Sequence, residues 1–171
     1  MKRAFFILLS LLFFCHSCTK DTIPTSGTVT IDNTTGFDQT YYVYGFLFSK
    51  AELVSTLDNP PPDITVDSDG TNVFFQTENY KNSFYKAGEF TDAASAEQAF
   101  SNLTAPVVNT WAEWANPVNQ NQIWIYRSGS EHYAKLRIIS IETKEENNRD
   151  LAECTFEWVY QPDGSLTFPG K

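Results

Sequence analysis

Few residues in this sequence have side chains that bind metals or act as nucleophiles. The 171 residues include two His, three Cys and one Met, and of these only His132 and Cys154 lie beyond residue 18. The chain therefore has too few of these residues for us to expect a metal site with thiolate, thioether or imidazole ligands, or a Cys–His catalytic pair. Carboxylates are more numerous, but Glu113, Glu153 and Glu157 have no spacing that would select an acid–base pair. Glu153 and Glu157 share the outer face of one strand pattern, and we expect both to face solvent.

Known catalytic motifs are also missing from the sequence. It contains no G-x-S-x-G nucleophile elbow, no H-E-x-x-H zinc motif and no phosphate-binding P-loop. The segment Asp67-Ser68-Asp69-Gly70 lacks the further oxygen ligands of a calcium loop and is typical of a hairpin turn. We therefore expect a protein that is not an enzyme and that has no certain metal site.

The charge balance is acidic. Twelve Lys and Arg stand against twenty-one Asp and Glu, for a formal charge of −9, and cationic residues cluster only at Lys2 and Arg3. This excludes duplex nucleic acid as an expected partner, since binding a phosphate backbone requires a cationic face. The length and the 42% of hydrophobic residues suit a single domain.

The first eighteen residues have the pattern of a secretory signal. Lys2 and Arg3 precede an uncharged apolar run, Ala4–Phe14, which is too short to cross a bilayer about 30 Å thick. Ser17 and Cys18 follow, and the chain then becomes polar. This order resembles a bacterial lipoprotein signal, in which the cysteine becomes the lipid-bearing first residue of the mature chain.

Lipidation at Cys18 would tether the mature chain to a membrane, because several acyl chains together form a lasting anchor. Cys15 is the other candidate cysteine, and a plain signal peptide without lipidation is the alternative to both. The polar start after Cys18 resembles tags that send lipoproteins to the outer face of the outer membrane. We expect a signal peptide at 1–17, a tether at 18–27 and one domain at 28–171, anchored in the outer membrane and facing the cell exterior.

Alternating apolar and polar residues predict strands along most of the chain. The predicted strands lie at 28–32, 41–48, 64–66, 73–77, 122–127, 133–142 and 152–160. Gly45, inside the second strand, indicates a bulge or a close backbone approach. The last three strands form a meander, with a charged loop predicted at 143–150. Cys154 falls on the apolar face of the last strand, where we expect a reduced cysteine packed in the core.

Helical signals are few. Asp92 is placed to cap a helix at 92–103 whose apolar residues share one face. Residues 51–57 could form one or two helical turns, stopped by three prolines. Trp111 and Trp114 have the spacing of neighbours on a helical turn, which could make an aromatic shelf. The predicted class is mainly β, an antiparallel sandwich or open barrel with one or two short helices.

The last part of the chain resembles a known family. The strings Ile123–Arg127, Tyr133–Ser140 and Cys154–Gly164 are similar to the closing hairpin and strand of the HmuY family of surface lipoproteins. The segment from Gly88 through the predicted helix is similar as well, so the resemblance covers roughly residues 85–168. It implies an all-β lipoprotein that sequesters haem outside the cell and passes it to an outer-membrane receptor.

The sequence departs from that family at the haem iron. Founding members hold iron through two side chains, usually His, whereas the predicted mature chain has His132 alone and no Met. A His–His or His–Met pair is therefore excluded within one chain. His132 follows a hairpin turn and is expected to be a solvated turn residue, although it is the single His that could ligate iron. Haem could also bind through a Tyr or by apolar enclosure.

Aromatic residues are the candidate walls of such an enclosure, with core packing as the alternative: Tyr41, Tyr42, Tyr44, Phe74, Phe75, Trp111 and Trp114. Lys81, Lys86 and Lys135 could meet porphyrin propionates, although isolated lysines are usually solvated. The alternative function is a surface module that has the same β scaffold but does not bind haem. In that case exposed indoles of Trp111 and Trp114 would bind glycan or protein.

Overall fold

The computed structural model of the protein describes residues 23–34, 43–77 and 81–170. In chain order its elements are β1 (Ser26–Asp32), β2 (Tyr44–Leu47), β3 (Glu52–Ser55), β4 (Thr65–Ser68), β5 (Val73–Gln76), β6 (Phe84–Glu89), α1 (Ala93–Asn102), β7 (Gln122–Arg127), β8 (Tyr133–Glu146) and β9 (Arg149–Gln161). The central sheet is antiparallel in the order β1-β9-β8-β7-β6, and β2–β3 and β4–β5 form two separate hairpins. Within the described ranges, no helix is long and apolar enough to cross a membrane.

Alternation along β7 shows why the central sheet is covered on both faces. Ile123 and Ile125 point to one face, Trp124 and Tyr126 point to the other, and all four are buried. On the Trp124 face the sheet packs against the two hairpins. On the Ile125 face it packs against α1 through Phe100. The prediction of a mainly β sandwich with a short helix is therefore confirmed.

Several local predictions are confirmed. Asp92 caps α1, because its carboxylate accepts the N–H of Ser95 at 2.8 Å. The hairpin β4–β5 and the meander β7–β8–β9 pair as expected. Gly45 makes a close backbone approach, since a Cβ there would overlap the carbonyl oxygen of Ile64. Cys154 is a free cysteine in the core. The first strand begins at Ser26, inside the segment predicted as a tether.

The helical turns expected at 51–57 are not formed. Glu52–Ser55 is strand β3, paired antiparallel with β2. Ala51 takes a positive φ of 55° in the turn between the two strands, and a right-handed helix cannot pass through that value. Val54 is buried opposite Gly45. Pairing with β2 gives this segment backbone hydrogen bonds and buries Val54. The free energy gained from these contacts outweighs the local preference for helix.

The charged loop expected at 143–150 is a continuation of β8 and β9. Their pairing extends to Glu146 opposite Arg149. Asn147 and Asn148 close the hairpin with φ values of 54° and 58°. Two successive positive values are the signature of a two-residue type I′ turn, and Asn tolerates them. Charged residues are accommodated on this ribbon because its tip is exposed.

Two charged residues expected in solvent are buried on the helix-covered face. Lys135 is fully buried, and its Nζ donates to the carbonyl oxygens of Phe100 and Leu103 at 2.7 and 3.1 Å. These carbonyls end α1, where the helix dipole favours a cation. Glu157 is 9% exposed and accepts hydrogen bonds from Nε and Nη2 of Arg137 at 3.0 and 2.8 Å. The amine of Lys135 is thus bound to the end of α1 and does not face a site where it could meet a porphyrin propionate.

Replacing Lys135 by Ala should lower the free energy of unfolding by about 2–3 kcal/mol, because two hydrogen bonds from a charged donor are lost. Urea unfolding followed by circular dichroism measures the change. Lys86→Ala is the matched control, since Lys86 forms an exposed ion pair with Glu89 and such pairs contribute about 0.2–1 kcal/mol. Equal losses in the two variants would contradict the role assigned to Lys135.

Cys154 should be unreactive in the folded protein, because burial raises the pKa of its thiol and keeps it protonated. The test uses the variant Cys15→Ser, Cys18→Ser, in which Cys154 is the remaining thiol. A chromogenic disulfide reagent should label this thiol only after unfolding in guanidinium. Rapid labelling without denaturant would show that the thiol is accessible in the folded state.

Candidate ligand-binding cleft

A cleft opens at one end of the central sheet. It lies where the turn between β7 and β8, the end of β9 and the proline segment before β4 meet. Its volume is about 300 Å³, which is at the lower end of the range for small-molecule sites. The principal lining residues are Pro60–Pro62, Asp63, Tyr126, His132 and Tyr160.

The turn between β7 and β8 fixes His132 in the wall of the cleft. Ser128 donates its backbone N–H to the carbonyl of His132 at 2.9 Å, and its Oγ accepts the backbone N–H of His132 at 3.0 Å. Nδ1 of His132 lies 3.3 Å from Oγ of Ser130. The imidazole is half-buried. His132 therefore follows the turn, as expected, and its partly exposed side chain lies in the wall of the cleft.

Asp63 brings a carboxylate to the same cleft. Its Oδ2 accepts the backbone N–H of Phe48 at 2.9 Å, and its Oδ1 accepts the hydroxyl of Tyr126 at 3.1 Å. Burial raises the pKa of Asp63, and these two hydrogen bonds oppose the shift. A positive imidazole at His132 would lower the same pKa. Sequence reasoning missed Asp63, because an acidic residue after three prolines matches no motif.

Two buried tyrosines form the aromatic wall. The ring of Phe48 packs against Tyr126 and Tyr160, with centroids 5.5 and 6.0 Å away. His132 meets Tyr160 edge-on at 6.3 Å. Burial raises the pKa of Tyr160, and the negative charge of Asp63 adds to the shift. Tyr160 is therefore held as a neutral phenol.

The two tryptophans predicted to share a helical turn lie in a non-helical segment that bends at 113 and 114. Ala112 bridges to Phe84 of β6, and Ala115 bridges to Phe75 of β5. The segment is not helical, so a spacing of three does not place the two indoles on one face. The shelf expected from Trp111 and Trp114 is not formed.

Each indole stacks on its own partners. Trp111 is half-buried, with Tyr133 stacked at 6.2 Å and the guanidinium carbon of Arg127 at 4.6 Å from its ring centre. Trp114 stacks on Phe74 at 5.2 Å and remains 45% exposed. Trp114 is thus the indole that presents a surface to solvent, and neither residue lines the cleft at His132.

The other predicted aromatic site residues that the structure describes do not line the cleft. Cys18, Tyr41 and Tyr42 lie outside the described residues. Tyr44 is 49% exposed on β2, and Phe75 is a core residue. Of the predicted site residues that the structure describes, His132 alone lines the cleft, and Asp63, Tyr126 and Tyr160 are the partners that the fold adds. The alternation of β7 and β9 could have placed Tyr126 and Tyr160 on one face, but nothing local indicates that they meet Asp63.

Two of the predicted lysines lie on the surface. Lys81 is at the rim of the cleft, where its Nζ donates to the carbonyl of Gly129 at 2.8 Å. Lys86 pairs with Glu89 at 3.0 Å. Neither lysine is among the residues that line the cleft.

Comparisons with known proteins do not assign the chain to a family. No protein-family model matches it, and no curated protein matches it.

In the part of the chain that the structure describes, no three His, Cys, Asp or Glu side chains are grouped so that they could hold a metal ion.

Asp63 should make the stability of the protein fall with rising pH, relative to the Asp63→Asn variant. Its folded-state pKa is raised above 3.8, so the folded protein holds this proton more tightly than the unfolded chain. The corresponding stability is fully present below about pH 4 and is lost as the pH rises through the folded-state pKa.

Urea unfolding of both proteins at pH 4 and pH 7 measures this effect. The unfolding free energy of the wild type minus that of the variant should be larger at pH 4, because titrating groups that do not interact with Asp63 cancel in the difference. A difference that stays constant or increases at pH 7 would show that burial does not raise the pKa of Asp63.

Proposed function

We propose that this protein is a non-enzymatic lipoprotein of the outer-membrane surface that holds a small ligand in the cleft at His132. The observation that carries the proposal is the position of His132, the one imidazole of the predicted mature chain, in an aromatic-lined wall. Haem is the first ligand to test, because it is the one implied by the resemblance to the HmuY family. An outer-membrane receptor would then take the ligand from the cleft.

Of the described residues that line the cleft, His132 is the one we expect to ligate an iron porphyrin. Among the described lining residues His132 is the one imidazole, and the hydroxyl of Tyr126 already donates to Asp63. The raised pKa of Tyr160 also disfavours the phenolate that would bind iron. Single ligation would distinguish this protein from the two-ligand sites of the family it resembles.

The lipoprotein assignment is supported by the apolar run and by Cys18. Seven residues, 19–25, separate Cys18 from the first residue of β1. Fully extended, they would reach about 25 Å. Lipidation at Cys18 would therefore hold the domain close to the membrane surface, where a membrane receptor could reach the ligand.

A second candidate function is supported by Trp114. Its exposed indole stacks flat on Phe74 with an interplanar angle of 11°. A supported flat ring is suited to stacking on a sugar or to anchoring a protein interface. In this alternative the scaffold is a surface module for glycan or protein, without haem, and Trp111 does not participate because Arg127 covers its ring.

Hemin titration of the purified mature protein tests the proposed function. A shifted Soret band should appear at micromolar hemin, and His132→Ala should weaken binding by about tenfold or more, since the iron loses its protein ligand. Trp114→Ala is the matched control, because it truncates an aromatic residue away from the cleft, and it should bind hemin as the wild type does.

If the wild-type protein gives no shifted Soret band with hemin, haem is not its ligand. Equal binding by His132→Ala and the wild type would remove the cleft as the haem site. Loss of glycan-array or pull-down signals in Trp114→Ala, with hemin inactive throughout, would favour the second candidate function.

A further inference from the structure

The charge of the cleft lining is one-sided. Among the described residues that line it, Asp63 is the one carboxylate and none is Lys or Arg. His132 also lines the cleft and interacts electrostatically with Asp63, while Lys81 lies at the rim and donates to the carbonyl of Gly129. An anionic group entering the cleft would add a second negative charge beside Asp63, whereas a cationic group would compensate it.

The carboxylate of Asp63 has acceptor capacity left. It accepts hydrogen bonds from the Phe48 N–H and the Tyr126 hydroxyl, and an ionised carboxylate has about four acceptor positions. Those two bonds also fix the orientation of the carboxylate. A ligand with N–H donors or a diffuse positive charge would meet an acceptor that is already positioned.

The remaining walls suit the organic part of such a ligand. Tyr126, Tyr160 and His132 supply rings, and aromatic rings attract ammonium groups by cation–π interaction. Pro60–Pro62 form another wall, and proline has a fixed φ, so little conformational entropy is lost when a ligand binds. A volume of about 300 Å³ accommodates a small ligand of this kind.

We infer that the cleft binds a small organic ammonium ion, with Asp63 as its charge partner and the tyrosine rings around its alkyl groups. This inference names the ligand class of the cleft and rests on the proposed function, in which the cleft is a ligand site. The acidic character of the chain, with a formal charge of −9, favours the approach of a cation over long range.

The test compares two probes of the same shape by isothermal titration calorimetry. Choline carries a quaternary ammonium, and 3,3-dimethyl-1-butanol has a carbon in place of the nitrogen and no charge. Choline should bind the purified mature protein about tenfold or more tightly than the alcohol, because only choline gains the attraction of Asp63. Asp63→Asn should reduce this preference severalfold or more, and cation–π contacts with the rings account for any remainder.

Asp58→Asn is the matched control. Asp58 accepts the N–H of Ser55 at 2.9 Å, is exposed and does not line the cleft, so the variant should keep the preference for choline. If Asp63→Asn does not fold, the comparison of the two probes on the wild type is still decisive. Equal affinities for choline and the alcohol would overturn the inference.

Hemin titration in parallel separates this inference from the proposed function. Binding of hemin that depends on His132, without binding of choline, would overturn the inference and leave the proposed function standing. Binding of choline without hemin would support the inference and remove haem as the ligand. If none of the three probes binds, the cleft is not a ligand site and both proposals fail.

Discussion

Burial of both faces of strands β7, β8 and β9 is the constraint on which the rest of the structure depends. Side chains alternate along a strand, so each of these strands has an apolar row toward the hairpins and a second row toward α1. The second row is apolar in β7, at Ile123 and Ile125, and includes Lys135 of β8 and Val159 of β9. A sheet covered on one side would leave the second row in water. The two short hairpins and the single helix are therefore needed together, and each one is stabilised mainly by docking on the sheet.

The same constraint decides what happens to charged residues in the central strands. Lys135 and Glu157 fall on the helix-covered face, and each has a charge-matched partner there, the end of α1 for Lys135 and Arg137 for Glu157. A buried charge without a partner would be strongly destabilising. Asp63 differs, because it is buried at the wall of an open cleft and is bound by neutral donors. That difference makes Asp63 the charge available to a ligand.

The cleft itself follows from where the layers of the sandwich end. Tyr126 and Tyr160 lie at the ends of β7 and β9, on the face covered by the hairpins. The hairpin layer is interrupted there by Pro60–Pro62, which cannot donate backbone hydrogen bonds to a neighbouring strand. The two layers therefore do not close against each other at this end, and His132 enters the gap from the turn after β7.

Periodicity and capping in the sequence were sufficient for the meander, the β4–β5 hairpin, the Asp92 cap and the buried Cys154, since each depends on neighbours within a few residues or on the side-chain alternation of one strand. Strand β3, the buried Lys135 and the separated tryptophans depend on which distant segment each one meets. Asp63 is the clearest case, because its partner Tyr126 lies 63 residues away. By itself, then, the sequence determined the apolar rows and the chemistry present. Only the tertiary structure decided which side chains share a cleft, because burial and hydrogen bonding there come from residues that no local pattern links.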